Sequence, residues 1–364
     1  MQYSTPSFQN KTPFISIIIP VHNGENYIDK CLDSILASTY NPYEIIVVDD
    51  ASTDKSAEIS RGKGASVLRL DRQSGPAAAR NFGAEKAKGE ILFFVDSDIV
   101  VKPDTITRIA EDFMKNPEIV AVFGSYDDSP AASDLLSQYR NLFHHYIHQN
   151  SQSEAKTFWA GCGAIYREIF HQLNGFDEYL YTKPSIEDIE LGLRMWKRGY
   201  RILLDKELQV KHLKHWKWRS CLKTDIFDRA IPWSRLILES GLLPRDLNLQ
   251  IPHRISALLV GILVLTVIVS LLGALNLFKF PADNFFIASL ALIATLLILN
   301  RKVYGFFYRE RGLKFTVTAI PLHFLYYFYS GTSFAACWLL HRFPILRSVL
   351  HKANAFAQSL LQRN

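Results

Sequence analysis

The sequence predicts an α/β protein: a mostly parallel sheet with helices on both faces, followed by helices that lie on and cross a membrane. Three observations carry that expectation. Four short runs, each apolar throughout, are separated by stretches of helical periodicity, as in a sheet buried on both faces. Two of those runs end in acidic clusters, and in such sheets ligands bind beyond the carboxyl ends of the strands. Past Arg254 the chain is dominated by Leu, Ile, Val, Phe and Ala, so the overall 48% hydrophobic and 21% charged residues average two unlike parts.

Met1 to Pro13 is polar and lacks the apolar core of a secretory signal, which keeps the following domain in the cytoplasm. Ile15 to Ile19, closed by Pro20, reads as the first strand, and Ile28, Leu32, Ile35 and Leu36 as one face of a helix. Glu44 to Val48 is the second strand and ends in Asp49-Asp50. Val67 to Leu70 is the third, and Ile91 to Val95 the fourth, ending in Asp96-Ser97-Asp98. A later helix opens at Ser185-Ile186-Glu187-Asp188, carries Ile189, Leu193 and Trp196 on one face and stops at Gly199. From Trp216 to Ile251 aromatic residues interleave with Lys217, Arg219, Lys223, Arg229 and Arg235. That mixture suits helices in a lipid headgroup layer and equally a helical cap on the sheet.

Ile255 to Phe278 has no charged side chain and is long enough to span a bilayer at about 1.5 Å per residue. Phe285 to Leu299 is shorter and reaches across if Val303 to Phe307 dips into the interface. Phe315 to Leu340, interrupted by Pro321, His323 and Ser330-Gly331, spans, re-enters or lies flat. The expected spans are thus 255–278, 284–303 and, in one of those three forms, 315–340. Arg301, Lys302, Arg309, Arg311 and Lys314 assign the loop between the last two to the cytoplasm. In the tail, Leu346, Leu350, Ala353, Ala357 and Leu360 recur at helical spacing among Arg342, Arg347, Lys352 and Arg363, as in an interfacial helix.

Lys and Arg number 41 against 35 Asp and Glu, a net charge of +6. The cations cluster between Lys206 and Arg254 and around the apolar segments, which favours membrane lipids over nucleic acid as the partner. Cys31, Cys162, Cys221 and Cys337 have neither CxxC nor zinc spacing and read as reduced thiols.

Asp96 and Asp98 are two apart, so in an extended chain both carboxylates point the same way. Such a pair suits Mg²⁺ or Mn²⁺ bridged to substrate phosphates, or simply a polar turn that ends a strand. Asp49-Asp50 either caps a helix or accepts hydrogen bonds from a nucleobase or ribose. No Gly-x-Gly-x-x-Gly follows the first strand and there is no Walker lysine loop, which disfavours dinucleotide and P-loop chemistry. Ser185 and Asp188 fit a capping box, while Asp188 also suits a general base. His144-His145-x-x-His148 has metal-like spacing but reads as a surface helix, and His212 as a structural residue or a metal or phosphate ligand.

Taken in order, Pro20-Val-His-Asn-Gly-Glu25, Val47-Val-Asp-Asp-Ala-Ser-Thr-Asp54, Gly75 to Gly83 with Ala79-Arg80-Asn81, and Val95-Asp-Ser-Asp98 are followed by Trp159-Ala-Gly-Cys-Gly163, Gly175-Phe-Asp-Glu178 and Glu187-Asp-Ile-Glu-Leu-Gly192. Over roughly Phe14 to His212 this resembles the family 2 glycosyltransferases, inverting enzymes of the GT-A fold, and the C-terminus resembles their membrane-bound bacterial branch. The resemblance implies that Pro20, Val21, Glu25 and Asp50 hold the nucleotide of a UDP- or GDP-sugar, with Arg80 near its diphosphate. It implies that Asp96, Ser97 and Asp98 form the donor and metal motif for Mg²⁺ or Mn²⁺, with Asp98 nearer the ion and His212 a further candidate ligand. Trp159, Gly161 and Glu187 would line the donor sugar and acceptor, and Asp188 would be the catalytic base. The Gln-x-x-Arg-Trp motif of processive members is missing from His212-Leu-Lys-His-Trp-Lys-Trp-Arg219, which argues against long-chain polymerisation.

The expected organisation is a polar tail at 1–13, a catalytic domain at 14–215 and interface helices at 216–253. A membrane region at 254–340 and a basic tail at 341–364 complete it. The expected activity is transfer of one sugar to a lipid-linked or glycan acceptor in envelope synthesis. The alternatives are an anchored, non-catalytic nucleotide-sugar-binding module and a transferase acting on a soluble saccharide or protein. The three intact acids Asp96, Asp98 and Asp188 favour an enzyme.

Overall fold

Strand β1 (Ile15–Val21) is buried along its whole length, as a run of β-branched residues in the middle of a covered sheet must be. It belongs to a computed structural model that describes residues 12–242, 246–275, 277 and 282–343. The polar start of the chain and the basic tail beyond Phe343 lie outside the described residues. The chain divides into two units, one reaching to Trp218 and including Asp246–Asn248 and Arg309–Gly312, the other holding the rest.

In the first unit β1 is followed by β2 (Tyr43–Asp49), β3 (Ser66–Arg69), β4 (Ile91–Val95), β5 (Ile99–Val100), β6 (Ile119–Tyr126), β7 (Glu154–Ala155), β8 (Cys162–Tyr166) and β9 (Arg201–His212). Between them run helices α1 (Ile28–Leu36), α2 (Ser56–Gly62), α3 (Pro76–Lys86), α4 (Thr105–Lys115), α5 (Leu135–Gln149), α6 (Arg167–Gln172) and α7 (Glu187–Lys197). The sheet order is β3-β2-β1-β4-β8-β6-β9-β5, with β7 added on β9. Strands β3, β2, β1 and β4 are mutually parallel. Strand β8 enters antiparallel between β4 and β6, β9 runs parallel to β6, and β5 and β7 pair antiparallel to β9. The sheet is therefore mixed. Its first half is parallel because a helix intervenes between each pair of strands, whereas β8 follows the irregular stretch after α5 and turns back against β4.

Local chemistry fixes the helices that matter for the site. α1 buries Ile28, Leu32 and Ile35 and leaves Leu36 exposed. α3 starts with Pro76 at its first position, where the missing N–H costs nothing, and turns the small residues Ala77, Ala79 and Ala84 inward. The His-x-x-His segment of α5 is not a surface feature. His145 and His148 are buried, their Nδ1–H groups donating to the carbonyls of Tyr126 (2.8 Å) and Gly124 (3.1 Å). Trp216, read above as the start of the interface stretch, is buried in the first unit, where Arg140 lies 4.0 Å from its ring centroid.

The second unit is helical: α8 (Trp218–Lys223) opens at the boundary, a π-helical turn covers Thr224–Ala230, and α9 (Ile231–Ser240), α10 (Ile251–Ala274), α11 (Ala282–Leu299) and α12 (Arg301–Arg342) follow. Among the described residues, α10 and α11 are the two helices long and apolar enough to cross a membrane. α11 stops at Asn300, so Val303 to Phe307 belongs to α12. The stretch read as a loop at 301–314 is helical except at Gly312, whose φ of 76° breaks the helix. Val260, Leu263, Leu296 and Tyr327 form the core of this bundle. Beside it the Tyr327 hydroxyl donates to Asn300 Oδ1 (2.8 Å), and the Asn300 amide donates to Ser256 Oγ (3.0 Å).

Candidate active site

The parallel half of the sheet delivers the ends of β1, β2 and β4 to one edge, bringing together Val21, Asp49-Asp50 and Asp96. Pro20 and Val21 are buried in β1, while Glu25 is exposed just beyond it. Glu25 is fixed locally: its N–H donates to Asp54 Oδ2 (3.0 Å) and its Oε2 accepts from the Lys55 N–H (3.2 Å). Asp50 is buried and accepts the N–H groups of Ser74 (2.7 Å) and Gly75 (2.8 Å), pinning the turn that starts α3. Its carboxylate keeps about two of roughly four lone-pair sites for a further donor. Its neighbour Asp49 is not part of the edge chemistry, because its Oδ2 is paired with Arg69 Nη1 at 2.7 Å.

The antiparallel half completes the edge. Because β5 pairs with β9, with Ile99 opposite His212, the residue before β5 meets the last residue of β9. Asp98 Oδ2 lies 3.6 Å from His212 Nε2, and the Leu213 N–H donates to the Asp98 carbonyl (2.8 Å). Among the described residues no three His, Cys, Asp or Glu side chains converge as a metal site. One carboxylate and one imidazole are, however, the donor set of an ion that fills its remaining positions with substrate phosphate and water. Asp98 and His212 fit such a cation. Asp96 is tied to Arg80 through Oδ1 alone, which leaves its Oδ2 open to a cation or a substrate donor. Ser97, between them, sits half-buried with its hydroxyl close to Gly24.

β8 pairs with β4 so that Cys162 faces Val95, which lays the Trp159–Gly161 segment against the acidic motif. The Asp96 N–H donates to the Gly161 carbonyl (3.1 Å). Gly161 has to be glycine, because a Cβ there would sit 2.5 Å from the Trp159 ring. One residue earlier, the Ala160 N–H donates to Asp188 Oδ2 (3.1 Å). α7 is pressed onto this segment at Gly192, where a Cβ would fall 2.3 Å from the Phe158 nitrogen. Adjacent peptides thus hold the strand end that bears Asp96 and the first turn of α7.

The capping box is not formed. The N-cap of α7 is Ile186, without a side-chain cap, and Glu187 Oε2 accepts the Ser185 N–H (2.9 Å). Asp188 instead faces inward. Burial pushes its carboxyl up to about 7, the neighbouring Glu187 charge adds to the rise, and Arg80 and two peptide N–H groups oppose it. Arg80 is 4% exposed, donating from Nη2 to Asp96 Oδ1 (2.7 Å) and from Nη1 to Glu187 Oε1 (2.8 Å). Burial alone would lower its guanidinium, but Asp96, Glu187 and Asp188 together hold it well above the usual arginine range.

One residue at this edge escaped the sequence reading, and a second was read as lying on a surface helix. Tyr126, the last residue of β6, stacks on His212 with ring centroids 4.3 Å apart and planes at 17°, and meets Trp159 edge-on at 4.9 Å. His144 lies against Tyr126 (4.4 Å) and Trp159 (5.0 Å). Tyr126 sits in no motif, and only the packing of β6 and α5 against their neighbours, which one sequence does not display, brings the two rings here.

Known proteins resemble this chain in sequence and in fold. The family described as glycosyl transferase family 2 matches residues 16–173, and the N-terminal domain of galactosyltransferase matches 140–217. A glycosyltransferase of Haemophilus influenzae is 40% identical over 119 residues, 31% of this chain and 47% of that protein. The glycosyltransferase GlyA of Streptococcus pneumoniae serotype 4 is 29% identical over 199 residues, 54% of this chain and 25% of that protein. This chain thus spans half or less of the length of these relatives. Among solved structures, a mannosyltransferase of Pyrobaculum calidifontis in complex with GDP-Man and Mn²⁺ shares the fold at a TM-score of 0.50. It is 17% identical, and the match covers 92% of this chain and 88% of that one.

Proposed function

The chain belongs to the family 2 glycosyltransferases through residues 16–173, and we propose that it moves one sugar from a nucleotide-sugar donor to a membrane-associated acceptor, with inversion. One observation carries the reading. Ala160 and Gly161, adjacent in the chain, touch an inward-facing acid whose carboxyl titrates near neutrality and the strand end that bears Asp96 and Asp98. The mannosyltransferase of like fold holds GDP-Man and Mn²⁺, which supports a sugar nucleotide and a divalent cation as ligands here.

In the proposed reaction Asp188 takes the proton of an acceptor hydroxyl as that oxygen attacks the anomeric carbon. The bond from that carbon to the diphosphate breaks on the opposite face, so configuration inverts and a nucleoside diphosphate leaves. A divalent cation on Asp98 and His212 would offset the charge gathering on the leaving group. Pro20, Val21, Glu25 and Asp50 would frame the nucleotide, and Trp159 with Gly161 the sugar. With purified protein in detergent and a panel of UDP- and GDP-sugars, release of nucleoside diphosphate from one donor is the expected result. Silence across the panel refutes the reading.

The acceptor is read as lipid-linked, on the cytoplasmic leaflet. α8 begins where the sheet unit ends, and α10 and α11 follow with no long linker, so the enzyme is tethered at the surface where such an acceptor is concentrated. Lys214, Lys217 and Arg219 would attract lipid phosphate, at about 1 kcal/mol per cation near the surface, whereas Lys211 is paired with Asp127 at 3.5 Å. Membranes incubated with labelled donor and extracted into organic solvent are expected to carry label in the lipid fraction. Label confined to aqueous or protein fractions refutes a lipid acceptor.

For topology, α10 crosses outward, α11 returns, and the second part of α12 lies along the cytoplasmic surface. Its side chains support this. Tyr329 hydrogen-bonds Asp225 before α9 and the Cys337 thiol donates to the Ile231 carbonyl. Its contacts with the hairpin include His253, Ala257 and Asn300 near one end of both spans, and Tyr327 also packs in the core with Val260, Leu263 and Leu296. Lys314 and Arg342 at its two ends both resist translocation. In a variant lacking the native cysteines, a membrane-impermeant thiol reagent applied outside should modify a cysteine at Asp283 and spare one at Phe343. Labelling at Phe343 makes α12 a third span; protection at Asp283 overturns the hairpin.

A further inference from the structure

Arg80 stands in a motif whose resemblance suggests a diphosphate ligand, yet its guanidinium is not presented to a ligand. Both η nitrogens are committed to carboxylates of this chain, Asp96 at 2.7 Å and Glu187 at 2.8 Å. Arg80 and Glu187 are buried side chains, and the guanidinium carbon also lies 5.6 Å from the Phe176 ring centroid. The Arg80 Nε–H is buried as well, without an acceptor among the described residues, so no donor oxygen reaches it unless the packing opens. The three residues come from different parts of the fold: Arg80 from α3, Asp96 from the end of β4, and Glu187 from the first residue of α7. Glu187 adds a second tie, because its other oxygen accepts the Ser185 N–H and so fixes the entry into α7.

We propose that Arg80 and Glu187 are positioning residues, joined to Asp96 as a buried strut that sets the first turn of α7, and with it Asp188, against the metal-motif strand. The strut has two consequences. It commits one oxygen of Asp96 to the fold, while Asp98 is the motif carboxylate that faces His212. It also sets one cation and one anion beside Asp188, Arg80 favouring the carboxylate and Glu187 disfavouring it. An arginine suits this, because its planar fork holds two carboxylates in a fixed geometry that a lysine's rotatable ammonium does not impose.

The inference rests on the proposed transferase reading, and the test separates the two. UDP and GDP, each with Mn²⁺, are titrated calorimetrically into wild type, Glu187→Gln and Arg80→Lys, and steady-state rates are followed from pH 5 to 9. A wild type that binds neither nucleotide refutes the transferase reading itself. Given wild-type binding, the strut predicts that both variants keep nucleotide Kd within about threefold, while kcat falls on the order of tenfold or more. Glu187→Gln should also move the acid limb of kcat/KM down by about one pH unit, since a negative charge beside Asp188 is removed. If Arg80 is a diphosphate ligand, Arg80→Lys instead weakens nucleotide binding about tenfold or more and leaves the limb in place, which overturns the proposal. Should Arg80→Lys fail to fold, Glu187→Gln decides alone: an unchanged kcat and pH limb, or a lost nucleotide affinity, overturns the strut.

Discussion

Asp188→Asn should abolish transfer while leaving the donor bound as tightly as in wild type. Removal of a general base typically costs about 10²–10⁴-fold in rate, because the interaction exists only as the proton moves. The asparagine keeps the shape and an oxygen that can accept the Ala160 N–H, so the Trp159–Gly161 segment should stay in place. The pH dependence gives an independent check. A carboxyl held near 7 is half-protonated at neutrality, so wild-type kcat/KM should rise with pH through about 7 and flatten above it. Stability should run the other way. A carboxyl with a raised folded-state value contributes stability below the ordinary carboxylate range and loses it as pH rises through 7. Asp188→Asn lacks that loss, so above pH 8 its Tm relative to wild type should be higher than it is at pH 5. A variant with near-wild-type turnover and an unaltered pH profile would reduce Asp188 to a structural acid.

How much of this was legible in the sequence depends on which contacts are local. The four apolar runs were legible because a strand covered on both faces needs no polar alternation. The acidic ends of two of them were legible because parallel strands deliver their ends to one edge. What the sequence could not display was the antiparallel insertion of β8, which lays Gly161 on Asp96, or the pairing of β5 with β9, which brings His212 to Asp98. Both depend on strand order, and nothing within a run of five residues encodes its neighbour. The same blindness hid Tyr126 and made the histidines of α5 look like surface residues. The Ser185–Asp188 spacing failed for a different reason. It satisfies the local rule for a capping box, but tertiary contacts win, with Glu187 drawn to Arg80 and Asp188 to Ala160. In the second unit, composition was enough to find α10 and α11. The break at Gly312 was not signalled, since a lone glycine in an apolar or basic run has many uses.

Asp98→Ala should reduce transfer to background, and removal of divalent cation from wild type should do the same and be reversible. The expectation rests on the donor set. With one oxygen of Asp96 held by Arg80, the edge offers a cation Asp98, His212 and at most the other Asp96 oxygen, too few to hold it tightly without the substrate's phosphates. Cation and donor should therefore bind cooperatively: nucleoside diphosphate should tighten with added Mn²⁺, and Mn²⁺ alone should bind weakly. Loss of Asp98 removes the only carboxylate of the pair, so the cooperativity should vanish together with activity. Asp96→Asn is the informative contrast. It keeps an oxygen for Arg80 and leaves Asp98 facing His212, so the Mn²⁺ dependence of nucleotide binding should survive in it. Calorimetric titration of UDP or GDP with and without Mn²⁺, in wild type and both variants, reads all three expectations. Full activity in excess EDTA would remove the cation from the mechanism. Loss of the Mn²⁺ effect in Asp96→Asn but not in Asp98→Ala would exchange the roles of the two aspartates.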